Sequence, residues 1–304
     1  MPLRFRAFAK INLYLAIEGR RLDGYHNIRT ILQNISLWDE LSMEPAGALT
    51  LTVETSDQLP PVPATDDNLV LVAARKLREL APSVGGAHIH LKKAIPPGAG
   101  LGGGSADAAA VLLGLNRLYG LDLPDDVLHR AAADTGMDVP FFLRGGTALA
   151  TGRGEILEPF AHVLNPWLVV VYPDFSISTR AAYQACSRRR VELVGRPSCE
   201  AVTAALRAGD YQAFLRSVYN DFEIIVAEDH PRIARIRSAI LEAGCDAAWM
   251  SGSGSAVIGA AGSERQAEAA AERLKPQFPF VRLARFCPVG VEMLDDRAAA
   301  PDLT

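Results

Sequence analysis

Residues 96–109 read P-P-G-A-G-L-G-G-G-S-A-D-A-A, a glycine-rich loop that continues into an almost wholly apolar stretch ending at Gly120. Successive glycines let backbone N–H groups turn inward and approach an anion closely. The apolar stretch predicts a buried helix, whose N-terminal end adds partial positive charge. Ser105 is the expected helix cap, with its hydroxyl placed to face a phosphate or Mg²⁺. The predicted phosphate-binding loop comprises Pro96, Pro97, Gly98, Ala99, Gly100, Leu101, Gly102, Gly103, Gly104, Ser105 and Ala106.

The loop also satisfies the G-x-G-x-x-G pattern of dinucleotide-binding folds, at Gly98, Gly100 and Gly103. Such a fold needs a second parallel strand directly after the helix, ending in an acidic residue. Here residues 120–124 lead instead into another helical pattern, and no Lys-Ser or Lys-Thr pair closes the loop as in a Walker A motif. A nicotinamide-linked dehydrogenase therefore stays an alternative that a comparison of ATP and NAD binding would separate.

N-terminal to the loop, the segment I-N-L-Y-L-A-I at residues 11–17 alternates apolar and polar positions, which predicts a strand. Its apolar face would carry residues 11, 13, 15 and 17, and its polar face Lys10, Asn12 and Tyr14. Asp23-Gly24 then predicts a hairpin turn into a second extended stretch. We expect Lys10 and Asn12 to project together, and Tyr25 and His26 to follow the turn.

Strand and helix patterns are mixed along the rest of the chain, with a helix capped by Asp67 and a strand A-H-I-H-L before the loop. This order predicts the α+β class. A chain of 304 residues exceeds the size of most single cores, so two lobes are expected. We place an N-terminal domain, which contains the glycine loop, at residues 1–160 and a C-terminal domain at 161–304.

Composition and charge exclude several classes of protein. The net charge of −4 provides no basic field for nucleic acid, and the run Arg188–Arg190 is too short to supply one. The longest apolar runs are too short to span a bilayer, and the N-terminus lacks a signal-peptide core. Four scattered cysteines form no zinc or disulfide pattern, which favours a reducing cytoplasm. Residues 297–304 are expected to form a loose tail.

Lys10 and Asp138 supply the remaining parts of phosphoryl transfer. Taken singly, a strand lysine and an aspartate before Pro140 are commonplace. Beside a phosphate loop, the carboxylate can accept or orient the hydroxyl proton, and the cation can keep that carboxylate charged and offset developing charge. The pair is thus the candidate catalytic pair of a kinase.

Three motifs in order resemble those of the GHMP kinases: A-K-I-N-L at 9–13, the glycine loop, and S-G-S-G-S at 251–255. R-x-D-G-Y-H at 21–26 and G-x-D-V-P at 136–140 resemble the members that phosphorylate the 2-hydroxyl of a cytidine-diphosphate-linked methylerythritol in the non-mevalonate isoprenoid pathway. The resemblance covers roughly residues 5–290. It implies a two-lobed α+β fold, with a ribosomal-S5-domain-2-like N-terminal lobe and a ferredoxin-like C-terminal lobe.

The resemblance also implies roles for individual residues. ATP would be the co-substrate, with Mg²⁺ required and Ser105 its one candidate protein ligand. Lys10 and Asp138 would be catalytic, and the enzyme a monomer or a homodimer. Tyr25 and Tyr183 would sandwich cytosine and His26 would bond its edge. The complete set of predicted substrate contacts is Asn12, Tyr25, His26, Thr179 and Tyr183.

Besides the dehydrogenase, two alternative functions and the role of one loop remain open on the sequence. Another GHMP kinase acting on a mevalonate- or homoserine-type substrate differs chiefly in lacking the Tyr25-His26 pair. A non-catalytic GHMP-fold sensor would keep the nucleotide loop, yet Lys10 and Asp138 are both present. For the loop at 251–255, a tight strand connection and a segment that wraps toward the active site are equally consistent readings.

Overall fold

A computed structural model describes residues 2–188 and 196–294. Of the predicted Arg188–Arg190 run, Arg189 and Arg190 lie outside the described residues, as does the tail from 297. The first half of the chain contains β1 (Leu3–Arg20), β2 (His26–Ala46), β3 (Thr50–Thr55), α1 (Leu69–Leu80), β4 (Gly86–Lys93), α2 (Gly103–Leu118), α3 (Asp125–Thr135), α4 (Val139–Arg144), β5 (Thr147–Thr151) and β6 (Ile156–Pro159).

The second half of the described chain alternates short strands with helices. Its elements are β7 (Trp167–Tyr172), α5 (Thr179–Arg188), α6 (Cys199–Ala208), α7 (Tyr211–Ser217), β8 (Tyr219–Asn220), α8 (Asp221–Val226), α9 (Arg232–Glu242), β9 (Ala247–Met250), β10 (Val257–Ala261), α10 (Glu264–Leu274), β11 (Phe280–Arg285) and β12 (Val291–Leu294). Within the described ranges, no helix is long and apolar enough to cross a membrane.

The first sheet is built around the long β1–β2 hairpin predicted from Asp23-Gly24. Its strand order is β12-β1-β2-β4-β3, with β5 and β6 attached through β2 and β8 paired with β1. Neighbouring strands are antiparallel except β3–β4 and β1–β8. Helices α1 to α4 share one apolar core with this sheet, so α2 is buried along most of its length.

The second sheet is antiparallel, in the order β11-β7-β10-β9, and it is buried on both faces. Val169 and Val171 pack in one core with α9 and α10, whereas Leu168 and Val170 pack in another with Ile11 of β1. Burial on both faces explains why β7 reads W-L-V-V-V-Y without alternation. The two-lobed α+β class is confirmed, and β1 lies where the lobes meet.

Alternation along β1 is interrupted, and one sequence prediction is wrong for that reason. A bulge lies between Asn12 and Tyr14 in the pairing with β2. A bulge adds a residue to one strand and changes which face the following side chains occupy. Tyr14 therefore packs in the core with Ile11 and Leu13 instead of lying beside Lys10 and Asn12, while Leu15 and Ile17 enter a different core.

Two predicted helix caps are also wrong. The N-cap of α1 is Asn68, whose side chain accepts the Val70 N–H at 3.0 Å, and Asp67 precedes it. The N-cap of α2 is Gly102, so Ser105 lies inside the first helical turn. Gly102 has a φ of 71°, a left-handed conformation that glycine adopts without strain, and the chain enters the helix three residues earlier than a serine cap predicts.

Candidate active site

A cleft of about 1340 Å³ opens between the start of α2, the β1–β2 hairpin and the 251–255 loop. Every predicted site residue except Leu101 and Ala106 lines it. Those in the cleft wall are Lys10, Asn12, Tyr25, His26, Pro96, Pro97, Gly98, Ala99, Gly100, Gly102, Gly103, Gly104, Ser105, Asp138, Thr179 and Tyr183. Leu101 and Ala106 instead pack into the two cores on either side of the loop, so they anchor it.

The glycine loop presents the N-terminus of α2 to the cleft. The first N–H groups of a helix have no intrahelical partner, and in α2 they belong to Gly103, Gly104 and Ser105. Ala106 N–H already donates to Gly102 O, at 2.9 Å, so the helix ladder begins there. These free donors and the helix dipole make the site suited to phosphate oxygens.

The 251–255 loop holds the glycine loop from the second lobe. Ser251 Oγ donates to Gly100 O at 3.0 Å, and Ala256 N–H donates to Ala99 O at 3.0 Å. A Cβ on Gly100 would come within 2.2 Å of Ser251 O, so the backbones meet there only because Gly100 has no side chain. Gly252 and Ser253 line the cleft, and this segment therefore belongs to the site.

Lys10 and Asp138 lie close together in the cleft, which agrees with the lysine–aspartate pair expected from the sequence. Lys10 Nζ lies 3.7 Å from Asp138 Oδ2 and donates to Asn12 Oδ1 at 2.9 Å. Lys10 is buried, whereas the Asp138 side chain is 40% exposed. Asp138 is the N-cap residue of α4, and within the described chain its carboxylate makes no capping hydrogen bond, so it faces the cleft.

A buried cluster of three charges lies behind the glycine loop, and sequence reasoning missed it. Lys93 Nζ contacts Asp39 Oδ2 at 2.5 Å and Asp107 Oδ2 at 2.7 Å, and all three side chains are at most 3% exposed. Asp39 Oδ1 also accepts the backbone N–H groups of Ala94 and Ile95. The cluster joins the strand before the loop to the helix after it.

The three charges of this cluster lie in direct contact and affect one another's ionisation. Burial alone disfavours the Lys93 ammonium, but the carboxylates of Asp107 and Asp39 raise its pKa well above the usual range. Burial and the Asp39 charge raise the pKa of Asp107, against the opposing effect of Lys93. Within the described chain, Asp107 Oδ1 has no hydrogen-bond partner. The ammonium is therefore the charge that keeps two buried carboxylates close together.

The opposite end of the cleft is aromatic. The rings of His26 and Tyr183 stack with centroids 5.3 Å apart at 18°, and Phe222 meets Tyr183 edge-on at 5.0 Å. Tyr25 is 56% exposed at the hairpin end. Thr179 Oγ1 lies 2.9 Å from Ser253 Oγ. The structure thus brings Tyr183 to the hairpin from the second lobe, with His26 as its stacking neighbour.

Ionisation at this end follows from burial and charge. Burial, with the nearby Arg20 charge, lowers the pKa of His26 below its usual 6.5, so the ring is neutral at pH 7. Burial and the Asp138 charge raise the pKa of Tyr183 well above its usual value, so the phenol stays protonated. Both rings are therefore uncharged and suited to stacking on a flat group.

No sequence motif predicted several of the residues that line the cleft. Asn68 and Leu69 at the start of α1 line the cleft, as do Arg153 and Gly154 in the turn between β5 and β6. The R-G-E turn at 153–155 carries no motif that marks it. Its position follows from β5 pairing with β2, which only the tertiary structure shows.

Comparison with family models gives two matches. Residues 68–146 match the family described as the GHMP kinases N terminal domain, and residues 202–279 match GHMP kinases C terminal. The first match contains the glycine loop and Asp138, and the second contains the 251–255 loop. Each lobe therefore contributes one match that contains part of the cleft wall.

Whole-length relatives and solved structures agree with these matches. A 4-diphosphocytidyl-2-C-methyl-D-erythritol kinase from a Synechococcus strain is 42% identical over 303 residues, covering 95% of this chain and 96% of the relative. One from Moorella thermoacetica is 41% identical, covering 91% and 96%. A crystal structure of 4-(cytidine 5'-diphospho)-2C-methyl-D-erythritol kinase has a TM-score of 0.79 at 36% identity, covering 93% and 98%. A homoserine kinase from Cytophaga hutchinsonii shares the fold, with a TM-score of 0.77 at 18% identity and coverage of 96% and 97%.

Proposed function

Because the chain belongs to the GHMP kinases and, within them, to the 4-diphosphocytidyl-2-C-methyl-D-erythritol kinase family, we propose that it phosphorylates the 2-hydroxyl of 4-diphosphocytidyl-2-C-methyl-D-erythritol with ATP. It is a small-molecule kinase of the non-mevalonate route to isoprenoid precursors. The observation that carries the substrate proposal is one cleft with a phosphate-binding loop at one end and the Tyr25, His26 and Tyr183 rings at the other.

The proposed chemistry is direct attack of a substrate hydroxyl on the γ-phosphate. Asp138 accepts or orients the hydroxyl proton, because its carboxylate is open to the cleft. Lys10 pairs with that carboxylate at 3.7 Å and offsets charge on the transferring group. Asn12 holds the Lys10 ammonium by a hydrogen bond and is itself fixed by Thr30 Oγ1 at 2.8 Å.

ATP would bind with its phosphates on residues 96–106, where the free N–H groups of α2 face the cleft. Mg²⁺ bound with a nucleotide commonly takes one or two protein ligands and completes its shell with phosphate oxygens and water. Ser105 lines the cleft in the first turn of α2, beside the phosphate site, so its hydroxyl fits the role of one such ligand. Ser105 would hold the ion, which supplies charge neutralisation for the phosphoryl group.

At the aromatic end, a cytosine would stack between Tyr25 and Tyr183, and His26 would bond its edge. Thr179, held by Ser253, would help position the polyol. The His26–Tyr183 stack must then open to admit the base between Tyr25 and Tyr183. The four cysteines are free thiols, in keeping with a reducing compartment, and we infer a cytoplasmic enzyme.

A substrate panel with ATP and Mg²⁺ tests the proposal, with ADP release and phosphorus NMR as readouts. The cytidylyl polyol should be phosphorylated at its 2-hydroxyl, and a uridylyl analogue, the polyol phosphate without a nucleotide, mevalonate and homoserine should react poorly. Equal use of the polyol phosphate would remove the cytosine site from the proposal. ATP binding without turnover of any acceptor would instead favour a non-catalytic sensor.

A further inference from the structure

Tyr25 ends the hairpin turn in a place where little of the protein covers it. Its side chain is 56% exposed, and the stacked ring pair at this end of the cleft is formed by His26 and Tyr183. The Tyr25 backbone N–H donates a hydrogen bond to Asp23 Oδ1 at 3.1 Å. An exposed tyrosine ring loses rotational freedom when it binds a flat ligand, which weakens binding unless something already holds it.

One side chain does hold the ring. The Cζ atom of Arg153 lies 5.0 Å from the Tyr25 ring centroid, which places the guanidinium over one face as a cation–π contact. Arg153 and Tyr25 both line the cleft, together with His26 and Tyr183. One face of the Tyr25 ring is therefore occupied by a cation that belongs to the wall of the site.

The turn that carries Arg153 is itself fixed. Gly152 O accepts the Ile28 N–H at 2.7 Å, which ties the turn to β2. Glu155 accepts the Arg153 backbone N–H at 2.5 Å through Oε2, and its Oε1 lies 3.6 Å from Arg153 Nε. Gly152 and Gly154 have φ values of 69° and 110°, which allow the tight reversal. The guanidinium is thus held before any ligand arrives.

We propose that Arg153 is a substrate-positioning residue, whose guanidinium holds the Tyr25 ring against the cleft wall so that the opposite face receives the base of a nucleoside diphosphate. This inference rests on the proposed cytidylyl substrate. Arg153 acts through Tyr25 and touches no reacting atom. Its loss should therefore weaken binding of the nucleotide-linked substrate and leave the chemical step and ATP binding unchanged.

The experiment measures kcat and KM for the cytidylyl substrate and for ATP, and binding of CDP alone by calorimetry. Arg153→Ala should raise the substrate KM and the CDP Kd about 3- to 10-fold, the scale of a cation–π contact and a freed ring. Arg153→Lys, which keeps the charge without the flat group, should recover part of that loss. Arg265→Ala removes an exposed arginine of α10 outside the cleft and is the matched control.

A double-mutant cycle with Tyr25→Ala shows whether Arg153 acts through the ring. In the Tyr25→Ala background, Arg153→Ala should add no further loss, because the ring it holds is absent. A full additional loss would overturn the positioning role, and so would an unchanged KM in Arg153→Ala. These two outcomes are interpretable when the wild-type enzyme uses the cytidylyl substrate. A wild-type enzyme that neither uses this substrate nor binds CDP would overturn the proposed function and the inference together.

Discussion

The two ends of the cleft are built in opposite ways. At the phosphate end, the glycine loop packs between two cores and accepts a hydrogen bond from Ser251. The buried Lys93 cluster lies behind it. At the aromatic end, the hairpin tip is exposed, with Leu22 and Tyr25 among the exposed large apolar side chains. The phosphate end thus depends on the packing of the whole fold, and the aromatic end on a few side chains.

This difference separates two kinds of change. A variant at the phosphate end that disturbs packing should lose stability and nucleotide binding together, because loop and core share contacts. A variant at the hairpin tip should alter substrate selection alone.

The largest effect is expected between the two ends, at the catalytic pair. Asp138→Asn keeps the shape and removes the charge, and kcat should fall about 10²- to 10⁴-fold because base catalysis typically contributes that much. ATP affinity should be retained. Asp134→Asn, an exposed aspartate in α3, is the control. An Asp138→Asn enzyme with near wild-type kcat would remove Asp138 from the mechanism.

At the phosphate end, Lys93→Met should leave Asp39 and Asp107 buried without their cation. Breaking a buried ion pair from one side costs about 3–5 kcal/mol of the free energy of unfolding, measured by urea titration. Lys92→Met changes the exposed neighbour on β4 and should cost less than about 0.5 kcal/mol. If the two variants were equally stable, the cluster would not contribute to the packing of the phosphate end.

Two adjacent glycines can separate packing from anion binding. A Cβ on Gly103 would lie 2.9 Å from Ile95 Cγ2 and 3.1 Å from Lys93 Nζ, so Gly103→Val should destabilise the fold. Outside its own helical turn, a Cβ on Gly104 would meet Leu69 Cδ1 at 3.4 Å, an ordinary van der Waals contact. Gly104→Val should therefore fold, yet crowd the phosphates and weaken ATP binding at least about tenfold. Unchanged ATP affinity in folded Gly104→Val protein would contradict the phosphate site.

At the aromatic end, His26→Ala should weaken discrimination between the cytidylyl substrate and a uridylyl analogue, with little effect on ATP affinity. Stacking on any base is worth roughly 1–3 kcal/mol and is indifferent to its identity. Selection therefore depends on hydrogen bonds to the base edge. The ratio of kcat/KM for the two substrates is the measurement, and an unchanged ratio would exclude the His26 side chain as the selecting group.

The smallest effect concerns pH. Because the folded pKa of His26 lies below 6.5, the ring stays neutral from about pH 8 down to 6.5. The unfolded chain binds this proton more readily, so the stability contributed by the neutral ring is present above 6.5 and is lost as the pH falls through the folded pKa. The KM for the cytidylyl substrate should therefore stay nearly constant between about pH 8 and 6.5 and rise at lower pH. A rise in KM between about pH 8 and 6.5 would contradict this prediction.

Local patterns in the sequence predicted individual secondary-structure elements and turns of this protein. The glycine loop, the helix behind it and the Asp23-Gly24 hairpin each follow from residues within one segment, and the α+β class follows from the order of such segments. The family was identified for the same reason, because its motifs are short and ordered. The caps of α1 and α2 were wrong by one to three residues, since several neighbouring residues can cap and packing selects among them.

The tertiary structure alone decided which parts meet. The contact between Ser251 and Gly100, the Lys93 cluster and the Arg153–Tyr25 pair all join distant segments, and no local periodicity records such contacts. The bulge after Asn12 depends on how β2 pairs with β1, so its effect on Tyr14 was invisible in one strand. A buried charge is tolerable only where its partners converge in space, which is why Lys93, Asp39 and Asp107 look ordinary until the chain is folded.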